Sequence, residues 1–413
     1  MRASQPSLRI AVVGGSLTGC TAAIELARGG FDVTLFERSG EELKDRGAGI
    51  GVPPSVVETY IERGLLPKEV PYFPAGNFVR RWRTPESADY GHLAWRQPTS
   101  LCLLNWGMLY RELRRRVPEG VYRTGHRVIG MRQERDGVML AIAGHGEQHF
   151  DVVVCADGYA SLGRRVLYPD IEVGYAGYVL WRGNLDESKL AEPEVLESGI
   201  HAVGYAGGHG VFYFVPGADG STAAGERLVN WGMYVPVPDL ESFMVDKAGR
   251  VHEGSLPPGA MALTTEAELK AAAAERLPRF YADIAQAAVD TYAYAIGDCQ
   301  VPSYANGRIC LAGDAGSFAR PHTGTGAFKG VNDAIALREA LTSGRALETA
   351  LGDWGLERAD ANNKLVQFGN QLGQALVKEI PDWSRMDEPA MERWFNGVVT
   401  INTEVFAGAR RAG

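Results

Sequence analysis

Apolar and polar positions in the first forty residues follow two different repeats. Residues 8–13 form a short apolar run rich in β-branched side chains, and 32–36 form a second, alternating run. Between them, after a glycine turn, Ala22, Ala23 and Leu26 share one face of a helical repeat. Repeats of two and of 3.6 residues indicate strands and helices respectively. The pattern predicts a strand, a tight turn, a helix and a second strand.

Aromatic and valine-rich segments with regular alternation occupy the middle of the chain. Between 175 and 236 they include GVFYFVPG and LVNWGMYV, separated by glycine turns, which is typical of an antiparallel sheet. Further strands are predicted at 121–128, 138–142, 150–155 and 308–311, helices at 55–64, 110–117, 265–277, 326–341 and 356–377, and a glycine-rich loop at 46–51. Since α/β pieces stand at the beginning, middle and end, they predict one discontinuous domain interrupted by the sheet.

Composition excludes several classes of protein. The chain has 413 residues, of which 45% are hydrophobic and 22% charged, so it is expected to be globular. Because 50 acidic residues outnumber 42 Lys and Arg, giving a net charge of -8, the basic surface that nucleic acid requires is absent from the sequence. No apolar stretch approaches the roughly 20 residues that cross a bilayer, so no membrane segment is expected.

Cysteine usage predicts a reducing compartment. The five cysteines are far apart, odd in number and without a CxxC pair, which argues against a disulfide framework and against a metal site. Most of them lie in apolar runs, where a free thiol behaves as a small hydrophobe. With no targeting segment at the start, we expect a cytoplasmic protein.

The first glycine turn, GGSLTG at 14–19, predicts a phosphate-binding site. Backbone N–H groups at a helix N-terminus attract a pyrophosphate, which approaches closely only where side chains are small. In the dinucleotide pattern GxGxxG, Gly14 makes the bend, Ser16 replaces the middle glycine, and Gly19 lets the helix pack on the strand. The predicted contacts from this turn are Gly14, Gly15, Ser16, Leu17, Thr18 and Gly19.

Neighbouring residues separate a dinucleotide site from a nucleoside triphosphate site. The turn also fits GxxxxGx[ST], but Cys20 stands where a lysine would neutralise the phosphates. Glu37 follows the second strand about 20 residues after the turn, where dinucleotide folds bind ribose hydroxyls. Arg38 beside it either contacts the adenosine region or is an ordinary solvated charge.

Two later motifs carry a family resemblance. CADGYASLGRR at 155–165 matches DGxxSxxR, and GDAGSFARPHTGTGAFKGVNDAIAL at 313–337 has its Gly, Asp, Pro and Ala residues at the family's spacing. With the first turn, they resemble the single-component FAD-dependent aromatic hydroxylases, the para-hydroxybenzoate hydroxylase family, over residues 8–345. Within it, YAGYVLWRG and ARPHTGTGAFKG are most similar to the branch that hydroxylates 2,6-dihydroxypyridine.

The resemblance implies an α/β fold with a discontinuous Rossmann-like FAD-binding domain, an inserted antiparallel-sheet substrate domain and a C-terminal helical tail. The implied ranges are 1–70, 100–172 and 280–345 for the FAD-binding domain, 71–99 and 173–279 for the substrate domain, and 346–413 for the tail. Since no second nucleotide-binding domain is present in the sequence, the nicotinamide donor is expected to bind transiently in a surface groove.

The implied activity is that of a flavoprotein monooxygenase. NADH or NADPH reduces the FAD, O2 adds to form a C4a-hydroperoxide, and one oxygen atom is transferred to an electron-rich aromatic or heteroaromatic ring, such as a phenol or a hydroxypyridine. The partners are therefore a small aromatic substrate and O2. The choice between NADH and NADPH, and the identity of the ring, stay open.

Further FAD contacts are implied by the family resemblance. These are Gly49, Ile50, Trp106, Val128, Asp157, Gly158, Gly313, Asp314, Gly324 and Gly326. Asp314 at a strand end can accept a hydrogen bond from a ribose or ribitol hydroxyl, and the glycines after it open a helix towards the pyrophosphate. Three positions depart from the family: Ser317 replaces a histidine, Phe328 an asparagine, and Trp106 an arginine that reaches FAD.

His322 and Pro321 are the predicted catalytic residues. His322 is the one histidine of eight inside a flavin motif, so it either removes or stabilises a substrate proton or is a loop histidine bonded to backbone. Pro321 would fix a backbone group near the reacting oxygen. Tyr178, Trp181 and Tyr213 either form an aromatic wall over a flat substrate or belong to the core.

Other functions on the same scaffold are a flavin reductase, a dehydrogenase or a halogenase, none of which hydroxylates a ring. The halogenase is disfavoured because GWxWxIP is absent from the sequence. A non-catalytic dinucleotide-binding module is the remaining alternative. The helices from 352 onward either pack against a second subunit, giving a homodimer, or cover their own FAD-binding domain.

Overall fold

The computed structural model describes residues 7–41 and 49–399, so parts of the predicted 46–51 loop and of the tail to 413 lie outside the described residues. Its strands are β1 Arg9–Val13, β2 Asp32–Phe36, β3 Gly49–Val52, β4 Phe73–Trp82, β5 His92–Asn105, β6 Tyr122–Arg123, β7 Val128–Gln133, β8 Val138–Ile142, β9 Gly146–Phe150, β10 Val152–Cys155, β11 Gly174–Asp186, β12 Ile200–Tyr205, β13 Gly208–Val215, β14 Leu228–Pro236, β15 Ser255–Leu256, β16 Tyr292–Asp298, β17 Ala305–Asn306 and β18 Ile309–Leu311. Its α-helices are α1 Leu17–Arg28, α2 Pro54–Glu62, α3 Trp106–Arg114, α4 Leu162–Leu167, α5 Leu240–Phe243, α6 Leu263–Arg276, α7 Arg279–Ala287, α8 Gly326–Leu341, α9 Leu347–Gly373 and α10 Glu388–Val399.

The first sheet has the strand order β17-β18-β10-β1-β2-β6, and its inner strands are parallel. β1 and β10 are apolar and buried along almost their whole length, as expected of strands covered on both faces. In the register, Val13 pairs with Cys155, and Cys155 pairs with Leu311. The carboxyl ends of β1, β10 and β18 therefore lie side by side, and the three predicted motifs begin at one edge.

Helices and a small sheet enclose this first sheet. α1 and α8 pack against each other. The antiparallel β7-β8-β9 sheet contributes Val138, Leu140 and Ile142 to the core that also contains β1 and β10. The result is a Rossmann-like α/β layer built from separate parts of the chain, as predicted.

The second sheet has nine strands in the order β15-β16-β11-β14-β13-β12-β4-β5-β3, antiparallel except for the β12–β4 pair. It runs from residues 49–52 to 292–298, and so extends beyond the ranges 71–99 and 173–279. α6 and α7 cover one face, where Tyr281 is buried in the same core as Trp181 and Trp231.

Alternation along β11 gives the second sheet two distinct faces. Val179 and Trp181 point into the core under α6 and α7. Tyr178 and Leu180 belong to a different cluster on the opposite face, together with Tyr234 of β14. This second face, which holds the even-numbered residues of β11 and their cross-strand neighbours, is called the inner face below.

The carboxy-terminal helices pack on their own chain. α9 contacts α8 and β17, then passes into a π-helical turn at 374–378 whose Leu376 carbonyl lies 3.1 Å from His209 Nδ1 of β13. Beyond it, Trp383 and Met391 are fully buried with Trp95 of β5. None of the helices in the described parts of the chain has the length and apolar character of a membrane span.

Three sequence-based elements differ from the structure. Residues 49–52, assigned to a loop, form β3 because they pair with β5. The strand predicted over 121–128 is interrupted by a turn in which Gly125 has φ +70°. α9 begins at Leu347 rather than 356 although Gly355 lies within it. A Cβ there would stand 2.6 Å from the Ala305 nitrogen, so the helix packs closely against β17.

Candidate active site

The turns after β1, β10 and β18 meet at one point. A Cβ on Gly14, which has φ +101°, would overlap the Ala156 carbonyl and lie 2.9 Å from the Asp157 Cα. A Cβ on Gly313, with φ +60°, would lie 2.7 Å from Thr18 Oγ1. Only glycine combines these backbone angles with this spacing. The three motifs therefore converge on one cleft.

The N-terminus of α1 opens onto this cleft. A Cβ on Gly19 would overlap the Gly14 carbonyl, so the helix starts in close contact with the turn. Ser16 is the N-cap in extended conformation, its hydroxyl makes no cap hydrogen bond, and the first turn holds no acidic residue. The N–H groups at Leu17 and Thr18 thus offer the positive end of the helix to an anion.

Glu37 lies beside the turn at the end of β2. Its carboxylate accepts hydrogen bonds from the backbone nitrogens of Gly15 and Ser39, each at 2.8 Å. Arg38 is exposed. Val128 starts β7. Two residues before it, the backbone N–H of His126 donates to the Glu37 carbonyl at 2.9 Å. Glu37, Arg38 and Val128 therefore occupy the same end of the cleft.

Arg164 joins the second motif to the third. Its guanidinium donates to the carbonyls of Asp314 at 3.2 Å and Ala315 at 3.0 Å, and to the Tyr159 carbonyl. Asp157 Oδ2 accepts from the Leu162 nitrogen at 2.7 Å, while its Oδ1 is buried without a partner among the described residues. Burial raises the pKa of this carboxyl. Gly158 follows with φ +79°.

Asp333 of α8 fixes the third motif. Its fully buried carboxylate accepts from the Gly313 nitrogen at 2.9 Å, from Arg358 Nε at 2.8 Å and from Asn362 Nδ2 at 2.9 Å, the last two on α9. The adjacent Asp314 side chain keeps 48% of its exposure. The turn is thereby held from behind while the Asp314 carboxylate stays accessible.

Lys329 is a buried cation that the sequence analysis did not identify. Its Nζ lies 3.4 Å from Asp314 Oδ1 and donates to the Ser317 carbonyl. The available sequence signal was a lysine inside the GAFKG segment, three residues after the first residue of α8. Lys329 therefore partly offsets the charge of Asp314 at the cleft.

Four of the other predicted flavin contacts lie on β3 and in the segment that leads into α8, which is close to β3. Tyr213 Oη donates to the Gly49 carbonyl at 2.9 Å, and a Cβ on Gly49 would lie 2.5 Å from the Tyr213 ring. Ile50 is the next residue of β3. Gly324, in the left-handed conformation with φ +65°, has the Gly51 carbonyl as its neighbour, and Gly326 starts α8.

Trp106 starts α3 at the end of β5 and stacks on Tyr110 with ring centroids 5.5 Å apart. It is partly exposed. Packing on α3 thus holds the tryptophan in place where the family has an arginine.

His322 belongs to a polar and aromatic cluster below the cleft. Its Nε2 lies 3.0 Å from Tyr178 Oη, and its ring centroid is 4.1 Å from Tyr234 and 5.3 Å from His209. Arg320 contacts the same Tyr178 hydroxyl at 3.4 Å and forms an ion pair with Asp298.

Three environmental effects, burial first, then His209 and Arg320, hold the pKa of His322 well below its usual value. Its Nδ1 is buried without a partner among the described residues. The imidazole is therefore neutral at pH 7 and is a weak base. Pro321, which precedes it, is exposed at the start of the 321–323 turn.

The predicted aromatic wall is wrong in part. Trp181 is fully buried on the face opposite Tyr178, in an edge-on contact with Trp231 at 4.8 Å. Residues three apart in a strand point to opposite faces, so Tyr178 and Trp181 cannot share one wall. Tyr178 is on the inner face but only 1% exposed. Of the three, Tyr213 alone is on the inner face and partly exposed.

Sequence reasoning also missed the polar cluster beside Tyr213. Arg182 donates to Tyr294 Oη at 3.1 Å and to Asn230 Oδ1 at 2.9 Å. Tyr292 is its cross-strand neighbour on β16. The available signal was that Arg182 follows Tyr178 by four residues, an even spacing that puts both side chains on the same face of a strand. Using it requires the register with β14 and β16, which the sequence does not supply.

This donor set fits FAD. Close-packed glycines and a free helix N-terminus suit its pyrophosphate, and carboxylates at Glu37 and Asp314 suit its hydroxyls. The buried Asp157 Oδ1 lacks a partner among the described residues. The fold and the cleft define a dinucleotide-binding oxidoreductase with a separate substrate sheet.

Comparisons with known proteins agree with this class. Residues 12–41 match the model of an NAD(P)-binding Rossmann-like domain, and 175–298 match an FAD binding domain-like model. The chain is 30% identical to 2,6-dihydroxypyridine 3-monooxygenase of Paenarthrobacter nicotinovorans, over 93% of this chain and 98% of that protein. It is 26% identical to salicylate hydroxylase of Pseudomonas putida, over 84% and 79% respectively.

A solved structure gives the same result. The structure of 2,6-dihydroxypyridine-3-hydroxylase from Arthrobacter nicotinovorans superimposes with a TM-score of 0.83 and 26% identity, covering 94% of this chain and 95% of that one. The chain belongs to the single-component FAD-dependent aromatic hydroxylases. It is an FAD-dependent monooxygenase that uses NADH or NADPH and O2 to hydroxylate an electron-rich aromatic or heteroaromatic ring.

Proposed function

We propose that the ring this enzyme hydroxylates is a hydroxypyridine, with a dihydroxypyridine the first candidate, and that it binds on the inner face beside β3. The observation that supports this proposal is the contact between Tyr213 and Gly49 in the nine-stranded second sheet, called the substrate sheet below, because it places the inner face beside the strand whose Gly49 and Ile50 are predicted to contact the flavin. The relative with 30% identity, named for 2,6-dihydroxypyridine, supports the choice of ring.

Residues of the three motifs would hold the cofactor. The 14–19 turn would bind the pyrophosphate through backbone N–H groups, and Glu37 with Val128 and Arg38 would bind the adenosine end. Asp157, Gly158, Gly313 and Asp314 would contact the ribitol side, and Gly49, Ile50, Trp106, Gly324 and Gly326 the flavin ring. Once reduced, bound FAD supplies the activation of O2 and an electrophilic oxygen atom.

The chain itself orients the ring and controls protons. Tyr213 and Tyr294 are partly exposed on the inner face, and their planar rings would line a flat substrate. His322, kept neutral by burial, would accept a hydrogen bond from a ring hydroxyl through Nδ1, since Nε2 is bonded to Tyr178. Pro321 would restrict the backbone beside it, so that no mobile side chain enters the reacting region.

An oxygen-labelling experiment tests this function. The holoenzyme is supplied with NADH or NADPH, labelled O2 and a panel of hydroxypyridines, hydroxyquinolines and phenols. We expect one or more hydroxypyridines to accelerate NAD(P)H oxidation and to yield product with one labelled oxygen atom. Label arriving only from water would contradict hydroxylation, and turnover restricted to phenols would contradict the hydroxypyridine assignment.

The His322→Ala variant tests the catalytic assignment. We expect it to retain FAD but to lose substrate-stimulated turnover by roughly 10-fold, because a hydrogen bond that orients the ring hydroxyl is removed. His149→Ala is the matched control, because His149 lies on β9, where its Nε2 is 3.7 Å from the exposed Asp136. Turnover equal to wild type would remove His322 from the active site.

We also propose a reducing, cytoplasmic location. The five cysteines are all free and buried. Burial raises the pKa of Cys20 and of Cys310 to about 12, so these thiols stay protonated and unreactive. A thiol titration of the denatured protein purified from its source should count five thiols, and fewer would contradict the proposal.

A further inference from the structure

Among the residues that the structure describes, Arg182 is a positive charge on the inner face with no acidic partner. Within the described parts of the chain, its guanidinium has no carboxylate oxygen within 4.0 Å. It donates only to the neutral oxygens of Tyr294 and Asn230, and its Nε is buried without a partner there. A guanidinium removed from water in this way is poorly compensated, since neutral acceptors return only part of its hydration energy.

Other buried arginines of the described chain are satisfied differently. Arg227 pairs with two glutamates and Arg320 with Asp298, while Arg164 donates to three backbone carbonyls. Arg80 also lacks a carboxylate, but it is 3% exposed and enclosed by aromatic rings on several sides. Arg182 differs because it is only partly buried, so a ligand can reach it.

The position of Arg182 connects it to the cofactor cleft. Asn230, which accepts from Arg182, also donates through Nδ2 to Asn184 Oδ1 at 2.8 Å, so its amide orientation is fixed. The same Asn230 Oδ1 would lie 2.8 Å from a Cβ on Gly49 of β3. Asn230 is therefore the residue that lies between Arg182 and β3, the strand predicted to contact the flavin.

The groups that face Arg182 are tyrosines. Tyr292 and Tyr294 of β16 place their ring centroids 5.8 and 5.9 Å from its Cζ, and Tyr213 of β13 lies on the same face. Burial raises the pKa of Tyr213 and of Tyr292. Since Tyr213 and Tyr292 stay uncharged at neutral pH, they do not supply the missing negative charge.

On the basis of the proposed function, we propose that Arg182 is the counter-charge of the substrate, which binds as its deprotonated phenolate or hydroxypyridine anion with the ring oxygen against the guanidinium. The proton is lost to solvent before or during binding, and no bond of the protein changes. Because His322 is a weak base, it is poorly suited to remove the proton of the ring hydroxyl. A site that binds the ring already deprotonated makes that proton transfer unnecessary. Arg182 then selects acidic hydroxylated rings over neutral ring ethers.

A binding experiment with 4-nitrophenol tests this role. Its neutral and anionic forms differ in visible absorption, and the oxidised holoenzyme without NAD(P)H cannot turn it over. We expect the wild type to bind the anion, to lower the apparent pKa of bound 4-nitrophenol and to bind the neutral ether 4-nitroanisole at least tenfold more weakly. In Arg182→Met the affinity for the anion should fall roughly 10- to 100-fold, as expected for a lost charged hydrogen bond.

Two further variants control the experiment. Arg182→Lys keeps the charge and should retain part of the pKa shift. Lys189→Met removes one positive charge from an exposed position, 51% accessible and paired with Asp186, and should bind 4-nitrophenol like the wild type. An unchanged anion affinity in Arg182→Met, with FAD content intact, would overturn the proposal.

The wild type alone also decides the question if Arg182→Met fails to fold. Binding that strengthens as pH rises through the pKa of free 4-nitrophenol supports an anion site, and binding that weakens or is undetectable overturns it. This outcome is separate from turnover. If no hydroxypyridine is hydroxylated while the pKa shift persists, the proposed substrate is wrong and Arg182 still binds an anion.

Discussion

Three buried polar atoms at the candidate active site have no hydrogen-bond partner among the described residues. They are Asp157 Oδ1, His322 Nδ1 and Arg182 Nε. An unsatisfied buried polar atom costs about 1–3 kcal/mol, so a fold retains it where a ligand compensates. All three residues border the region where the motifs and the inner face meet.

Asp314 provides the first test at this scale. Asp314→Ala should give protein that is folded but poor in FAD, because the accessible carboxylate that would bind a flavin hydroxyl is lost. The ratio of flavin to protein absorbance after purification measures this. Asp170→Ala, at an exposed turn position, is the control and should keep full flavin content. A fully yellow Asp314→Ala protein would contradict the assigned contact.

Residues that directly follow a strand were the most predictable. Gly14, Glu37 and Asp157 could be proposed because each follows a strand at a recognisable spacing, and strand ends share an edge. Arg182 could not, because its partners Asn230 and Tyr294 lie 48 and 112 residues away. The error at Trp181 was avoidable, since alternation alone separates it from Tyr178.

At the scale of elements, α8 and α9 stabilise the third motif from behind. The Asp333 carboxylate of α8 links the Gly313 turn to Arg358 and Asn362 of α9. Arg164 links the same turn to the second motif. These side chains set the relative positions of the strand-end turns although none of them needs to contact the cofactor.

Asp333→Ala tests the stabilising link. Removing this carboxylate leaves Arg358 and the Gly313 nitrogen without their buried partner, and we expect a loss of about 3–5 kcal/mol in the free energy of unfolding, together with weaker FAD binding. Urea denaturation measures the first effect. Asp353→Ala breaks an exposed ion pair with Arg345 and should change stability by no more than about 0.5 kcal/mol. Equal effects of the two variants would refute the link.

Element prediction succeeded where periodicity was uninterrupted and failed where tertiary contacts decided. α8 was predicted over 326–341 and is found over Gly326–Leu341. β3 was missed because its residues are extended only through pairing with β5. The start of α9 was missed because Gly355 lowers helix propensity, whereas its close packing on β17 favours the helix.

For the whole molecule, buried histidines couple folding to pH. His201 is fully buried and His209 is 4% exposed. Burial, then Arg81 and Arg96, lowers the pKa of His201 to about 3, and burial, opposed in part by the Leu376 hydrogen bond, lowers that of His209 to about 4. Both residues lie in the substrate sheet, whereas His322 belongs to the turn beside it.

The protein should therefore lose stability as pH falls below about 6.5, the ordinary histidine value. Below this pH the histidines of the unfolded chain bind protons, whereas His201 and His209 in the folded protein stay neutral. The unfolded state is therefore favoured by up to about 1.4 kcal/mol per pH unit for each histidine. Urea denaturation between about pH 7.5 and about pH 5 measures how the free energy of unfolding changes with pH. His201→Gln should reduce it, and a flat profile would contradict the prediction.

The two faces of β11 place different constraints on substitution. Val179 and Trp181 are packed in the core under α6 and α7, whereas Arg182 on the inner face is the proposed counter-charge of the substrate. Exchanges at Arg182 and at its inner-face neighbours Tyr213 and Tyr294 can change which molecules are accepted, while Val179 and Trp181 preserve folding. A library randomised only at 182, 213 and 294 should consequently yield many stable proteins with altered substrate range, a practical route to new hydroxylation catalysts.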